Sequence, residues 1–406
     1  MSEQRLVVIL CTAEVLTMLG VFAFPALLPS FVDVWGLTNT EAGWIAGIYF
    51  AAYAAAAPVL LALTDHHDAR LIYLGGTCVA AASAFGFALM AEGFWSAILF
   101  RSLAGTGLAA TYMPGLRVLV DRYRGPRPSR AISFYTAGFS LGTAVSYFVA
   151  GQLAPLLGWR ATFAVGGAAA LIALLLALCL APTKPPQRPQ TRAMLDFRPV
   201  FHNRTAIAYV LAYGAHCWEL FTWRSWLVAF LTLAAASEPA GLSGILTPTA
   251  VATLSGLVAV AASIGGNELA LRFGRRPMIR LAAVVSAAIA ATIGFTAALP
   301  YPLVVVIALI YTVAVQLDSA ALTAGVTAAA TPGLSGATLA LHALFGFGCA
   351  GIGPVVFGAV LDATGGSGGG NLSWGIAFTA VAVVAILVVP ALSLAGRGQP
   401  SRRDRG

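Results

Sequence analysis

Apolar residues in this chain lie in runs of about 18–26 positions separated by short polar turns, the length a helix needs to cross a hydrocarbon core of about 30 Å at 1.5 Å per residue. The pattern predicts twelve membrane-spanning helices, near residues 6–30, 41–63, 71–91, 94–120, 131–154, 161–181, 205–232, 246–270, 278–299, 303–326, 337–361 and 374–396. The first run exceeds the roughly 7–15 apolar residues of a cleaved signal peptide, so it is expected to stay in the protein. Cys11, Cys78, Cys179, Cys217 and Cys349 all fall inside spans without a CxxC pair, and read as small packing residues.

Composition strengthens this reading. Hydrophobic residues make up 59% of the 406 and charged residues 9%, against about a quarter charged in a soluble domain. A single soluble core of this size is excluded, because such cores split into polar-surfaced domains beyond about 250–300 residues. The fold class expected is an all-α membrane protein of two six-helix bundles.

The net charge of +8 points to topology, not to nucleic acid, once the basic residues are located. With both termini inside, 19 Lys and Arg residues, from Arg5 through the Arg122–Arg130 cluster to Arg405, fall on cytoplasmic segments, and Arg160 alone faces outward. Positive segments resist translocation, so the asymmetry predicts a multi-pass inner-membrane protein with cytoplasmic termini. Asp33, Glu92, Glu238 and Asp362 then sit outside. The longest polar break, with its prolines and basic residues, divides six spans from six. The domains expected are an N-terminal bundle at 1–181, a linker at 182–204, a C-terminal bundle at 205–396 and a tail at 397–406. These segments leave no room for a soluble catalytic domain. No GxxxxGK[ST] loop is present to bind ATP, and neither a catalytic constellation nor a channel filter motif is found. The chain is expected to be a monomeric non-enzyme with no cofactor. His66, His67 and Asp68 are adjacent on one short loop and do not converge on a metal.

The halves echo each other, a mark of transporters built from repeats. LALTDHHDAR (Leu61 to Arg70) after span 2 corresponds to NELALRFGRR (Asn267 to Arg276) after span 8, and GWRATF (Gly158 to Phe163) to SWGIAF (Ser373 to Phe378). In these loops, in GLTNTEAGWIAGIY (Gly36 to Tyr49) and in Arg101 with Ala104, Gly105 and Gly107, the chain resembles the major facilitator superfamily along essentially its whole length. Leu269, Arg272, Gly274, Arg275 and Arg276 match the family's G-x-L-A-D-R-x-G-R-R pattern, with Leu271 in place of the acid. In the first half Leu63, Asp65 and Arg70 match, while His66, Asp68 and Ala69 depart from it. The resemblance implies that Asp65, Arg70, Arg272, Arg275 and Arg276 form an inner gate, positive-inside anchoring being the alternative for the arginines. It also links Arg101 to proton coupling. Compact length and GWRATF look like small bacterial carriers of the cyanate and nitroimidazole type.

Ionisable residues inside spans are expensive and mark ion or substrate paths. Glu14, Arg101, His216, Glu219, Arg224, Asp318 and His342 qualify. His216 and Glu219, three apart near the middle of span 7, share a helix face, so Glu219 assisted by His216 is the expected carrier of a coupling proton, with Glu14 and Asp318 as further proton sites. A buried interhelical hydrogen bond is the alternative. Arg101 and Arg224 present guanidinium forks suited to an oxyanion. For Arg101 the alternative is a pair with Glu14; for Arg224 it is snorkelling at the outer boundary. Trp218 and His342 are candidate cavity residues, whereas Trp226 is expected at the membrane boundary. Pro25, Pro29, Pro114, Pro248 and Pro354 are candidate kinks, with Gly351 to Pro354 the expected hinge. The expected function is proton-coupled, alternating-access transport of a small organic anion. A drug or metabolite antiporter and an uncoupled uniporter or anion exchanger are the alternatives. Absence of proline from Gly138 to Gly151 argues against the multidrug type.

Overall fold

A computed structural model describes residues 2–183, 196–236 and 246–395. Every regular element among them is helical. Residues 184–195 of the expected linker, the tail from 397, and Glu238 lie outside the described residues.

Spans 2, 3, 8, 9 and 11 are single helices, Asn39–Leu63, Ala69–Met90, Pro248–Phe273, Arg275–Ile293 and Ser335–Ala363, each apolar and long enough to cross a bilayer. Their starts are written locally. Thr38 and Glu41 form a reciprocal capping box at span 2, and Asp68 and Thr247 cap spans 3 and 8 by accepting backbone N–H bonds. Pro248, expected as a kink, is instead the first residue of span 8, where a missing N–H costs nothing. Span 4, Phe94–Arg122, and span 7, Arg204–Ala235, carry buried charges that lower their hydropathy without breaking the helix.

The remaining traverses are interrupted. Span 1 is built from Glu3–Thr17, Ala23–Ala26 and Leu28–Trp35. Its first break is held from neighbouring helices: Ser146 of span 5 accepts from Phe22 N–H and donates to the Leu19 carbonyl. Spans 5 and 6 run through Pro128–Leu178 and turn at Gly158, whose φ of 80° only glycine adopts readily. Span 10 divides into Tyr301–Gln316 and Ser319–Ala329, and span 12 into Gly370–Ala385 and Val388–Ser393. Twelve traverses result among the described residues, with the described ends of the chain on one face, called here the terminal face. The opposite face is the distal one.

The buried core shows how the halves meet. On the distal side one aromatic-rich core crosses both halves, from Met18 and Phe50 to Trp226 and Trp374. Toward the terminal face the N-terminal half has its own core around Tyr73, Leu119 and Tyr135. The C-terminal half has another, around Tyr209, Ile279 and Leu322.

Candidate functional site

The distal seam is tight because glycine removes side chains from both sides of it. A methyl group at Gly43 or Gly47 of span 2 would strike the backbone of Pro354 or Gly351 of span 11, and one at Gly358 would strike Asn39. Small residues thus let two helix backbones approach directly. At the outermost turn the Asp362 carboxylate accepts from the N–H groups of Asn39 and Thr40, at 3.0 and 2.8 Å, and from their side chains. Trp226 Nε1 donates to the Pro354 carbonyl at 3.1 Å, with Trp226 fully buried. The boundary position expected of Trp226 is therefore wrong: its indole packs against Phe357 and Trp374 and finds the Pro354 carbonyl of span 11. Span 11 continues as one helix through Pro354.

Arg224 is buried in the distal core between the two halves, not at the boundary. Its guanidinium is buried at 7% exposure, close to the rings of Phe22 and Phe221, and Nη2 donates to the neutral Gln316 Oε1 at 3.2 Å. Tyr147 of span 5 donates to the Arg224 carbonyl at 2.5 Å. No carboxylate lies within ion-pair distance of it among the described residues. Arg101 is handled differently. It does not pair with Glu14; its N–H groups go to the carbonyls of Gly20 and Val21 in the span 1 break and of Ile45 in span 2, while its plane lies over Tyr49. One nitrogen, Nη2, is left without a partner beside a small void that Thr17, Ser83 and Thr111 help to line. In this conformation Arg101 holds the broken helix together.

The buried acids take hydroxyl partners. Glu14 Oε2 lies 2.8 Å from the Tyr135 hydroxyl. Glu219 accepts from Tyr311 and Ser286, both at 3.0 Å. His216 Nδ1 lies 2.7 Å from Asp318 Oδ1, where span 10 breaks. His216 makes its short contact with Asp318, while the Glu219 oxygens are taken by Tyr311 and Ser286. His342 stacks on Tyr213 at 3.8 Å, with both ring nitrogens buried and unpartnered. Trp218 Nε1 is likewise unpartnered, as is Tyr53 OH across the seam. His216, Asp318, His342 and Tyr213 form one group by direct contact, with Glu219 close enough to Asp318 to feel its charge; Glu14 and Arg224 make their direct contacts elsewhere.

Comparison with known proteins decides the family. A family model described as Major Facilitator Superfamily matches residues 10–354. The chain belongs to that superfamily. It is 22% identical to human protein spinster homolog 1 over 287 residues, 67% of this chain and 54% of the relative. It is 27% identical to a probable 4-methylmuconolactone transporter of Cupriavidus pinatubonensis over 277 residues, 64% and 61% of the two chains. The chain spans about half the length of the human relative it matches. Among solved structures, a bacterial homolog of the human lysosomal transporter spinster, inward-facing and unoccupied, has a TM-score of 0.75 at 17% identity, covering 97% of this chain and 95% of that one. A point mutant of the nucleoside transporter NupG has a TM-score of 0.73 at 16% identity, covering 96% and 99%.

The superfamily's loop residues are tied mainly within their own half. Asp65 is 3.3 Å from Arg117, which also binds Asp121 at 2.9 Å. Arg70 caps the end of span 6 through the carbonyls of Ala177 and Leu178. Asp68, which departs from the family pattern, accepts from Arg122 and from the Thr183 N–H. Burial alone would raise the Asp68 carboxyl, but the N–H groups of Thr183 and Arg70 and the Arg122 guanidinium hold it below its ordinary value. In the second half Arg272 is exposed, and Arg275 and Arg276 are half-buried beside the Gly274 turn. Sequence reasoning passed over Arg117, Tyr135, Ser286, Tyr311 and the capping role of Asp362. Tyrosine and serine carry no signal of their own among so many, whereas Asp362 near the Gly365–Gly370 loop was a visible acid without a visible partner.

Proposed function

We propose that this superfamily member is a secondary transporter that carries a small organic anion through the membrane by alternating access, coupled to protons. The observation that carries the reading is Arg224, a buried guanidinium with no carboxylate partner among the described residues, held between Phe22 and Tyr147 of the first half and Gln316 of the second. A permanent charge in low dielectric needs a counter-charge, and Arg presents a fork that suits a carboxylate or phosphate. A site between the two halves meets one face at a time when they rock. The names of relatives, one for a lactone and one for nucleosides, support a small organic solute.

Proton coupling rests on Glu14 and Glu219, carboxyls buried among hydroxyls without a cation, and on the His216–Asp318 pair. A carboxyl in such surroundings favours its neutral form. Conformations that hydrate it favour release of the proton. The basic asymmetry of the sequence supports cytoplasmic termini in an inner membrane, with 1–181 and 205–396 as the rocking bodies of a monomer and Asp65, Arg70, Arg272, Arg275 and Arg276 as the inner gate. In that orientation the distal seam is a closed outer gate.

Proteoliposomes with an internal pH dye, challenged with a panel of organic anions and cations, test the reading. Anion-dependent proton flux, lost in Arg224→Gln and Glu219→Gln, is expected. Anion movement without a pH change would replace coupling by exchange or uniport, and cation-driven flux would favour an efflux antiporter.

A further inference from the structure

The hydroxyl of Tyr135 has more acceptors around it than it has hydrogens. Its oxygen lies 2.8 Å from Glu14 Oε2, 2.9 Å from the Tyr112 carbonyl and 3.1 Å from the Thr111 carbonyl. A tyrosine hydroxyl supplies one hydrogen and two lone pairs. If Glu14 were ionised, all three neighbours would be acceptors competing for that hydrogen, and at least one short oxygen–oxygen contact would set lone pairs against lone pairs in a buried site. If Glu14 carries a hydrogen on Oε2, that hydrogen is donated to the Tyr135 oxygen, and the Tyr135 hydrogen is free for the span 4 carbonyls. Each carbonyl keeps a lone pair for it beyond its helical bond. Only the second arrangement places a hydrogen between Glu14 and Tyr135 and leaves the Tyr135 hydrogen to be shared by the two carbonyls.

The surroundings point the same way. The titratable groups around Glu14 are Cys11 on its own helix, Tyr49 and Tyr53 of span 2, Tyr73 of span 3, Tyr112 of span 4 and Tyr135 of span 5. The cation nearest in the sequence pattern, Arg101, is spent on backbone carbonyls. Gly115 leaves the space that the Tyr135 hydroxyl occupies, since a methyl there would collide with it. The excess is smaller at Glu219: Tyr311 serves one oxygen alone, and Ser286, which serves the other, has one further acceptor, the Ala283 carbonyl at 3.3 Å.

We infer that Tyr135 is a positioning residue that converts the protonation of Glu14 into a contact between helices. With Glu14 protonated, a chain of hydrogen bonds runs from span 1 through Tyr135 of span 5 to the Thr111–Tyr112 carbonyls of span 4, beside Pro114. When the proton leaves Glu14 Oε2 for water, the Tyr135 hydrogen turns to the carboxylate and the link to span 4 is released. No other bond is made or broken. The inference rests on the proton-coupled reading above and adds the residue that transmits the proton's arrival.

Infrared spectroscopy of the purified protein in lipid nanodiscs tests this without a substrate. A protonated carboxyl band at neutral pH, lost in Glu14→Gln and shifted in Tyr135→Phe, is expected. Gly115→Ala, which presses on the hydroxyl, should shift the same band, so the result does not depend on one variant folding. A carboxylate at neutral pH, or a band indifferent to Tyr135→Phe and Gly115→Ala, overturns the inference. A band that behaves as expected in a protein whose transport moves no protons would leave the inference standing and remove the coupling.

Discussion

Asp362, in the last turn of span 11, accepts from both the backbone and the side chain of Asn39, and so caps the first turn of span 2 in the other half of the molecule. Thr40 adds two further bonds to the same carboxylate. A helix N-terminus presents unsatisfied N–H groups and positive potential, and here the anion that answers them comes from across the seam. The contact therefore exists only while the distal ends are together.

Removing that carboxylate should bias the protein toward a distal-open state. A hydrogen bond to a charged group contributes about 1.5–3 kcal/mol, and about 1.4 kcal/mol is tenfold in an equilibrium constant. Asp362→Ala is thus expected to raise the open fraction by at least about tenfold. Maleimide labelling of a cysteine at Phe50, just beneath the seam, in a background without the native cysteines would report it. Unchanged labelling from the distal side would show that the glycine packing holds the seam by itself.

That packing is separately testable. At Gly47 an added methyl meets the Gly351 carbonyl, with backbone on both sides and nothing flexible to move. Overpacking of this kind costs about 1–3 kcal/mol. Gly47→Ala should open the distal face as Asp362→Ala does and lower thermal stability of the closed form. Gly265→Ala in span 8, where a methyl meets nothing within 4 Å, should be neutral or slightly stabilising. Equal effects of the two would mean that helix propensity, not the seam, governs the result.

The contrast between these positions shows what the sequence carried and what it did not. Run length announced the helices, because spanning a membrane demands it, and caps such as Thr38, Asp68 and Thr247 are seen only in the structure. The repeated loops announced the two halves and the family. Partner choice inside the membrane did not follow. His216 and Glu219 share a helical face by spacing, yet Asp318 reaches His216 because span 10 breaks at Leu317–Asp318 without a proline or glycine to signal it. Trp226 could equally be a boundary anchor or a plug, and only the Pro354 carbonyl and the Phe357 and Trp374 rings, brought from a distant part of the chain, decide. Tyr135 is one of 11 tyrosines, and nothing in its neighbours marks it.

The His216–Asp318 contact should couple strongly in mutation. Both side chains are nearly inaccessible, at 1% and 5% exposure, and 2.7 Å apart. Taking away one partner of a buried pair leaves the other uncompensated and costs about 3–5 kcal/mol. His216→Ala and Asp318→Ala should therefore each destabilise the protein, and the double variant should lose clearly less than the two losses added together. Thermal unfolding in detergent of the two single variants and the double one gives the coupling directly, and additive losses would mean that the two groups stabilise the fold independently.

Asp68 makes a prediction about acid. It receives Thr183 N–H at 2.7 Å and Arg122 at 2.9 Å, and so fastens the end of the first half to the loop after span 2. Its carboxyl is held below the ordinary value, so the folded state favours the ionised form. The stabilisation is accordingly present above the ordinary carboxylate value and is lost as pH falls through the lowered one. Hydrogen exchange at the Thr183 amide should be slow at neutral pH, accelerate on strong acidification beyond the intrinsic rate change, and be fast at all pH values in Asp68→Asn, where the charge that attracts Arg122 is gone. Arg122→Gln should keep the Thr183 bond but move the onset of its loss to higher pH, because one of the groups that lowers the Asp68 carboxyl has been removed. Protection that ignores both substitutions would mean that packing of Leu180 and its neighbours, not the carboxylate, holds this segment in place.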